Sequence, residues 1–373
     1  GGSDIHHENL IYRGPDPVLV DLETLLTGLP KEVVDSPSYE ALVTEARHRT
    51  VLATGFLPSP VQMEKGKFDL SAGGAVMDQT SPLQGMKLDG VARDDVRAEA
   101  AFATFAPLGN VARLDGVVHP VSEHADDFCV GFSEAYRLFA NARSDPSFSA
   151  GPLAAFKSIH TRWVARGTLR YADMLRRARH PTHMRDAIDL EMAFAALWLE
   201  VRELPHLARL IPSELRDLWQ GDIPFFVTHA DSRDLRDPRG ELIPDFFAKS
   251  GFQLMQSRLA GLSEGDLGHQ LAVIRTSLRA STLQGGPLQS REPLRPKTDG
   301  NYLVSGYRDA AVAIGEDLLA AAVVQDGIPL WIAPNSAGGD AYFGGYTPPT
   351  LYDGAAGIGL FFGELYKATA DQR

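Results

Sequence analysis

The sequence predicts an α+β protein that is predominantly helical, on three observations. Near the start, two short apolar runs at residues 9–12 and 17–21 flank a Gly-Pro turn, which is the pattern of a β-hairpin. Residues 57–90 are rich in Gly, Pro, Ser and Lys and show little periodicity, so we expect an irregular surface excursion with short strands. Beyond residue 91, apolar residues recur at helical spacing over most of the chain.

The helical pattern divides the chain into two predicted domains. Eight segments carry it before a linker: 91–105, 128–139, 153–165, 171–178, 185–202, 213–219, 245–259 and 266–278. Residues 283–300 combine three prolines with scattered charges and little apolar content, which is typical of a linker. We therefore expect a first domain over 1–282 and the beginning of a second over 301–373, with helices at each end and a Gly-rich loop at 335–349.

Composition excludes several classes of protein. With 373 residues, 44% hydrophobic and 23% charged, the chain predicts a globular protein. A net charge of −12 argues against nucleic-acid binding, which needs a basic surface. One cysteine, Cys129, excludes a disulfide framework and any zinc site that needs two thiolates. We find neither an integral membrane segment nor a signal peptide, and expect a cytoplasmic protein.

A first group of polar residues surrounds the predicted hairpin. Asp4 precedes Asn9 by five residues, and Asp21 follows at the end of the second strand. Protein kinases use this arrangement for phosphoryl transfer, with one Asp accepting a proton and Asn and Asp binding Mg²⁺ beside ATP. We therefore assign Asp4 as base or proton relay, and Asn9 and Asp21 as magnesium ligands. A polar turn with an Asn cap is the structural alternative.

Two histidines lie inside this group. Because neighbouring residues of an extended chain point to opposite sides, at most one of His6 and His7 is expected to face the site. We expect His7 to be solvated and keep His6 as a candidate catalytic residue.

A second group lies at residues 162–168. Arg162, Arg166 and Thr168 place two guanidinium groups and a hydroxyl in a short span, and the guanidinium fork suits a phosphate. This pattern predicts a positive site that holds a phosphorylated side chain and stabilises the leaving phosphate. A surface helix whose arginines pair with carboxylates is the alternative.

These motifs resemble one family more than any other. Residues 4–11 and 17–25 are similar to the dehydratase domain of type II lanthipeptide synthetases (LanM), and residues 351–362 resemble an early helix of the LanC-like cyclase domain. The resemblance implies a kinase-like (lipid-kinase-like) C-lobe with helical elaborations, followed by the first helices of an α/α toroid. It also associates two Arg one helical turn apart, then Thr and Tyr, with phosphate elimination, which nominates Arg162 and Thr168.

The resemblance implies a reaction sequence for the whole protein. ATP and Mg²⁺ would phosphorylate Ser and Thr of a ribosomal precursor peptide, consisting of a leader and a Ser/Thr/Cys-containing core. Phosphate elimination would give dehydroamino acids, with Asp4 or His6 as base, and Cys thiols would then add at a Zn²⁺ site. The resemblance places none of the cyclase's zinc ligands within this sequence. Both chain ends look cut, so we expect a fragment that is inactive alone.

Two other functions remain open. The phosphotransferases that modify aminoglycosides or choline carry a similar hairpin, but they predict no cyclase start after the linker. A non-catalytic peptide-binding scaffold is the other alternative. The joint presence of Asp4, Asn9 and Asp21 speaks against it, because loss of any one would mark a decayed enzyme.

Overall fold

A computed structural model describes residues 2–14, 16–31, 38–63, 66–107, 109–283, 304–325, 327–338 and 341–370. Helices and antiparallel strands are mixed along these ranges, so the predicted α+β class is confirmed. The kinase-like C-lobe and the start of a toroid stay predictions. Residues 284–300 of the predicted linker lie outside the described residues.

Ten α-helices lie within the described ranges. They are α1 (Tyr39–His48), α2 (Ala125–Ala142), α3 (Pro146–Phe148), α4 (Thr168–Ala178), α5 (Ala187–Phe194), α6 (Ile211–Gln220), α7 (Gly251–Gly261), α8 (Glu264–Thr282), α9 (Val304–Ala321) and α10 (Ala355–Thr369). Short 3₁₀ turns include Leu22–Thr24, Val121–His124 and Ala195–Arg202. None of these helices is long and apolar enough to cross a bilayer.

Most strands of the described residues are short, β6 and β7 being the longest, and consecutive strands mostly pair. They are β1 (Leu10–Arg13), β2 (Asp16–Leu19), β3 (Leu29–Pro30), β4 (Val61–Met63), β5 (Gly66–Phe68), β6 (Gln79–Asp89), β7 (Arg97–Phe105), β8 (Ala112–Leu114), β9 (Val117–His119), β10 (His160–Trp163), β11 (Phe226–His229), β12 (Leu235–Arg236), β13 (Leu242–Ile243), β14 (Phe247–Lys249), β15 (Val323–Gln325), β16 (Ile328–Leu330), β17 (Ile332–Ser336) and β18 (Tyr342–Tyr346). The predicted hairpin is confirmed as β1 and β2, with Leu10 opposite Leu19.

The chain divides into two compact units. The first unit comprises residues 1–3, 21–36 and 136–263, and the second comprises 4–20, 37–135 and 264–373. In the first unit, β10 to β13 form an antiparallel sheet in which Trp163 lies opposite Phe226. Both side chains are buried in a cluster with the apolar residues Leu207, Leu210, Leu235, Phe246 and Phe247. This cluster fixes β10, the strand that carries Arg162.

The second unit is built from hairpins packed on helices. Leu57, Cys129, Val273, Ile274 and Leu278 form one of its buried clusters, which joins α2 and α8. Hairpin β17–β18 lies against α8, where a Cβ on Gly344 would overlap the backbone of Ser277. Glycine is required there because two backbones approach closely.

Several segments differ from the predicted pattern. The helix predicted over 245–259 is wrong at residues 247–249, which form β14 and pair with β3. The helix predicted over 91–105 is wrong, because β7 pairs with β6 and Asp89 lies opposite Arg97. Val91 and Val96 are 66% and 52% exposed, so the apolar spacing there buries no helical face. The helix predicted over 153–165 is wrong at residues 160–163, which form β10 in the buried sheet. The loop predicted over 335–349 contains most of hairpin β17–β18.

Candidate functional site

The segment before β1 is held as a tight turn by Asn9, which is buried. Its side-chain Nδ2 donates to the carbonyl oxygen of Asp4 at 3.0 Å, and its backbone N–H donates to His6 O at 3.0 Å. Because the Asp4 carbonyl can only accept, the amide atom beside it must be nitrogen. Asn9 Oδ1 is therefore directed away from Asp4. Asp4 itself is exposed and adopts a left-handed backbone with φ 65°.

His6 lies in the same turn. The N–H of Glu8 approaches its Nδ1 at 3.2 Å, and Asn9 Nδ2 lies 3.2 Å from its Nε2. Both neighbours can only donate, and a neutral imidazole accepts at one nitrogen, so one of these contacts is a hydrogen bond at a time. The structure thus places the Asp4 backbone, His6 and Asn9 in one turn, and the roles assigned to their side chains stay predictions.

His7 differs from its prediction. It is 5% exposed rather than solvated, and both its backbone N–H and its Nδ1 lie within hydrogen-bond distance of Leu70 O, at 2.9 and 3.2 Å. Because a carbonyl only accepts, Nδ1 carries the proton in this contact. His7 therefore anchors the turn to residue 70. The alternation of side chains put His7 on the opposite side from His6, but that side faces protein instead of water.

Sequence reasoning missed the loop that supports this turn. His6 forms a β-bridge with Ser71, and the buried Asp69 accepts from the backbone N–H groups of Ser71 at 2.9 Å and Ser59 at 3.0 Å. Burial raises the pKa of Asp69, and these hydrogen bonds oppose the rise. A side chain on Gly74 would overlap the Asp69 carboxylate. The Asp-Leu-Ser-Ala-Gly-Gly string at 69–74 was the available signal.

The hairpin leads from this turn to Asp21. Its open end is closed by the Val20 N–H, which donates to Asn9 O at 3.0 Å. Asp21 is the next residue, belongs to the first unit, and is exposed with φ 53° just before the turn Leu22–Thr24. Amide and carboxylate oxygens are the donors that Mg²⁺ prefers, so Asn9 and Asp21 suit that ion chemically. Their convergence on one ion stays a prediction.

The second motif forms a polar cluster within the first unit. Arg162 Nη1 is 2.6 Å from Glu23 Oε1, and its Nη2 is 3.4 Å from Thr168 Oγ1. The guanidinium also lies over the ring of Phe225, with Cζ 5.0 Å from its centroid. Thr161 Oγ1 donates to Glu23 O at 2.9 Å, and this hydrogen bond fixes the backbone of Glu23. Arg162 and Thr168, both predicted site residues, are therefore neighbours, and Glu23 positions Arg162.

Thr168 is also the first residue of α4. Gly167 caps this helix without a side-chain hydrogen bond. The N–H groups of a helix's first turn lack partners within the helix, and their dipoles attract anions. A cation, a hydroxyl and a helix N-terminus thus occur together, which is a chemical environment suited to phosphate.

Arg166 does not join this cluster. Its side chain is 2% exposed and pairs with the fully buried Glu214, with Nη1 2.7 Å from Oε1, while Nη2 donates to Leu197 O at 2.8 Å. Tyr171 donates to the same Glu214 oxygen at 2.5 Å. Burial raises the pKa of Tyr171, and nearby Glu214 raises it further. The expectation that both arginines face a phosphate is wrong, because the Arg166 guanidinium is held in a buried ion pair with Glu214.

Two further histidines stand beside Arg162 and were not singled out in the sequence. His160 and His229 are opposite each other on β10 and β11, with ring centroids 4.1 Å apart. Alternate residues of a strand share a face, so His160 and Arg162 lie on one side of the sheet. The two histidines are distant in the sequence, and strand pairing alone brings them together.

The comparisons with known proteins agree with the motifs. The family described as "Domain of unknown function (DUF4135)" matches residues 1–229. The "Lacticin 481/lactococcin biosynthesis protein LcnDR2" of Lactococcus lactis subsp. lactis is 23% identical over 382 residues, covering 98% of this chain. The chain spans only 39% of that protein's length. Since the family match covers more than half of the 373 residues, the chain belongs to the DUF4135 family, a domain associated with LanM-type synthetases, and its LanM-like character is confirmed.

Proposed function

We propose that this chain acts in lanthipeptide biosynthesis as the dehydratase part of a synthetase. Its reaction is transfer of a phosphoryl group from ATP to Ser or Thr of a precursor peptide, followed by elimination of phosphate. The single observation that carries this proposal is the Glu23–Arg162–Thr168 cluster at the start of α4, which suits a phosphate in a LanM-like chain. The similarity to a lacticin biosynthesis protein supports the peptide as substrate.

The phosphorylation step is assigned to the turn before β1 and to Asp21. Asp4 accepts the proton of the substrate hydroxyl. The hydroxyl oxygen bonds to the γ-phosphorus of ATP, and the bond between that phosphorus and the departing ADP oxygen breaks. Asn9 Oδ1 and the Asp21 carboxylate would hold Mg²⁺, which neutralises phosphate charge when bound. The buried position of Asn9 and its bond to Asp4 O support a fixed orientation for its amide oxygen.

The elimination step is assigned to Arg162 and Thr168. A base removes the α-proton of the phosphorylated residue, the electron pair forms the Cα=Cβ bond, and the Cβ–O bond breaks to release phosphate. Arg162 and Thr168 stabilise the negative charge that grows on the leaving group. Glu23 keeps the guanidinium in place before substrate arrives. Asp4 and His6 are the two candidate bases.

Mass spectrometry of a candidate precursor peptide tests the proposal. The peptide is coexpressed with the complete enzyme, either unchanged or carrying Arg162→Ala or Asp21→Asn. We expect loss of one water per modified residue with the unchanged enzyme, retained phosphate with Arg162→Ala, and an unmodified peptide with Asp21→Asn. An unmodified peptide in all three cases, with ATP-dependent phosphorylation of a small molecule instead, would contradict the proposal and favour a small-molecule phosphotransferase.

A further inference from the structure

The turn between β9 and α2 gathers three metal-binding side chains to which the proposed function gives no role. His119 is the last residue of β9, and Glu123 and His124 lie in the 3₁₀ turn Val121–His124 that precedes α2. Between them, Pro120 takes an extended backbone with ψ 141°, and its carbonyl accepts from the Glu123 N–H at 3.0 Å. This hydrogen bond folds the turn back, so that the three side chains face one another.

Their distances suit a shared cation. One ligand atom from each of His119, Glu123 and His124 lies within 4.8 Å of the other two. Ligands of a tetrahedral Zn²⁺ ion, each at about 2.1 Å, are roughly 3.4 Å apart. Glu123 and His124 are exposed, so small rotations of their side chains close this difference.

The surroundings favour binding on two further counts. The His124 Nδ1 is 3.9 Å from Asp127 Oδ2, which is longer than a hydrogen bond, but a rotation of these two exposed side chains would let the carboxylate accept from Nδ1–H and leave Nε2 to the metal. His119 is half-buried and lines a small cavity with Tyr12, Phe56 and Val121. The rings of His119 and His124 have their centroids 6.0 Å apart, so rotation of the exposed His124 side chain can turn both imidazoles toward one ion.

We propose that His119, Glu123 and His124 form a binding site for a divalent transition-metal ion of the Zn²⁺ class, with water as fourth ligand. Two imidazoles and one carboxylate match Zn²⁺ better than Mg²⁺ or Ca²⁺, which prefer oxygen ligands throughout. The site needs no thiolate and is separate from the cyclase zinc that the family resemblance implies. Bound metal ties the end of β9 to the start of α2 and so stiffens the second unit.

Metal titration of the 373-residue protein tests the site. After treatment with a chelator, Zn²⁺ is titrated by calorimetry and Co²⁺ by visible absorption. We expect one tight Zn²⁺ equivalent, a Co²⁺ d–d spectrum of a tetrahedral nitrogen–oxygen site, and a rise of the unfolding temperature with Zn²⁺. Glu123→Gln keeps the shape of the side chain, and His124 is exposed, so neither Glu123→Gln nor His124→Ala should disturb folding.

Variants distinguish Zn²⁺ binding at this site from Zn²⁺ binding at other histidines. Loss of a ligand in His124→Ala or Glu123→Gln should weaken Zn²⁺ binding at least about a hundredfold, and Asp127→Asn about tenfold. His180 is an exposed histidine of the first unit, and His180→Ala should leave the affinity for Zn²⁺ unchanged. Absence of tight binding, or tight binding that persists unchanged in both His124→Ala and Glu123→Gln, would overturn the proposal.

Discussion

Replacing Arg166 by methionine should destabilise the first unit severely. The side chains of Arg166 and Glu214 are 2% and 0% exposed, and the pair is joined at 2.7 Å. Methionine keeps most of the volume but leaves the Glu214 carboxylate buried without its cation. Removing one partner of a buried ion pair costs about 3–5 kcal/mol. This is a large part of the roughly 5–15 kcal/mol that stabilises an ordinary domain.

Arg162→Met is the matched control, because it removes the other arginine of the same motif. The Glu23 carboxylate that remains in this variant is 38% exposed, so water can solvate it after its cation is removed. We expect a change in the free energy of unfolding of about 0–1 kcal/mol. Two arginines four residues apart in the sequence thus differ several-fold in their contribution to stability.

Urea unfolding followed by circular dichroism measures both changes. The slope of the transition should be similar in both variants, so that the midpoint reports stability. If Arg166→Met does not fold, Tyr171→Phe supplies a milder test. It removes the hydroxyl 2.5 Å from Glu214, and loss of a hydrogen bond to a charged group costs about 1.5–3 kcal/mol. Equal, small effects of Arg166→Met and Arg162→Met would refute the buried network.

Three further changes have defined outcomes in the same unfolding assay. Gly251→Ala should destabilise by about 1–3 kcal/mol or more, because its Cβ would overlap the Leu26 carbonyl. Gly268→Ala, inside α8 with open space around it, should instead stabilise by about 0.5–1 kcal/mol; a loss there would contradict the helix. Burial lowers the pKa of His269, which contacts Tyr346 Oη at 2.9 Å. The unfolded chain therefore binds this proton more readily, and stability falls as pH drops below about 6.5; His269→Gln should flatten the slope between about pH 7.5 and 5.5.

Local chemistry explains what the sequence predicted correctly. Hairpin β1–β2 is encoded by two apolar runs and a turn within a dozen residues, so neighbouring positions determine it. Asn9 and Asp4 are brought together by that same short segment. Helices such as α8 follow from apolar spacing on one face. All of these are indicated by residues close in sequence, although distant residues such as Leu70 and Cys129 pack against them.

Long-range pairing explains what the sequence could not predict. The helical spacing at 160–163 was overridden by the sheet, where Trp163 packs opposite Phe226. The opposite fates of Arg162 and Arg166 depend on Glu23 and Glu214, which lie 139 and 48 residues away along the chain. No local pattern indicates which carboxylate meets which guanidinium, so the motif alone could not separate a candidate phosphate ligand from a buried ion pair.

The most direct test of the account is elimination from a peptide that already carries phosphate. A synthetic phosphoserine form of the precursor peptide is given to the complete enzyme, and mass spectrometry follows loss of phosphoric acid. We expect the unchanged enzyme and Arg176→Met, an exposed arginine at the far end of α4, to eliminate phosphate, while Arg162→Met leaves it on the peptide. Elimination by Arg162→Met at the rate of the unchanged enzyme would contradict the role of the Glu23–Arg162–Thr168 cluster.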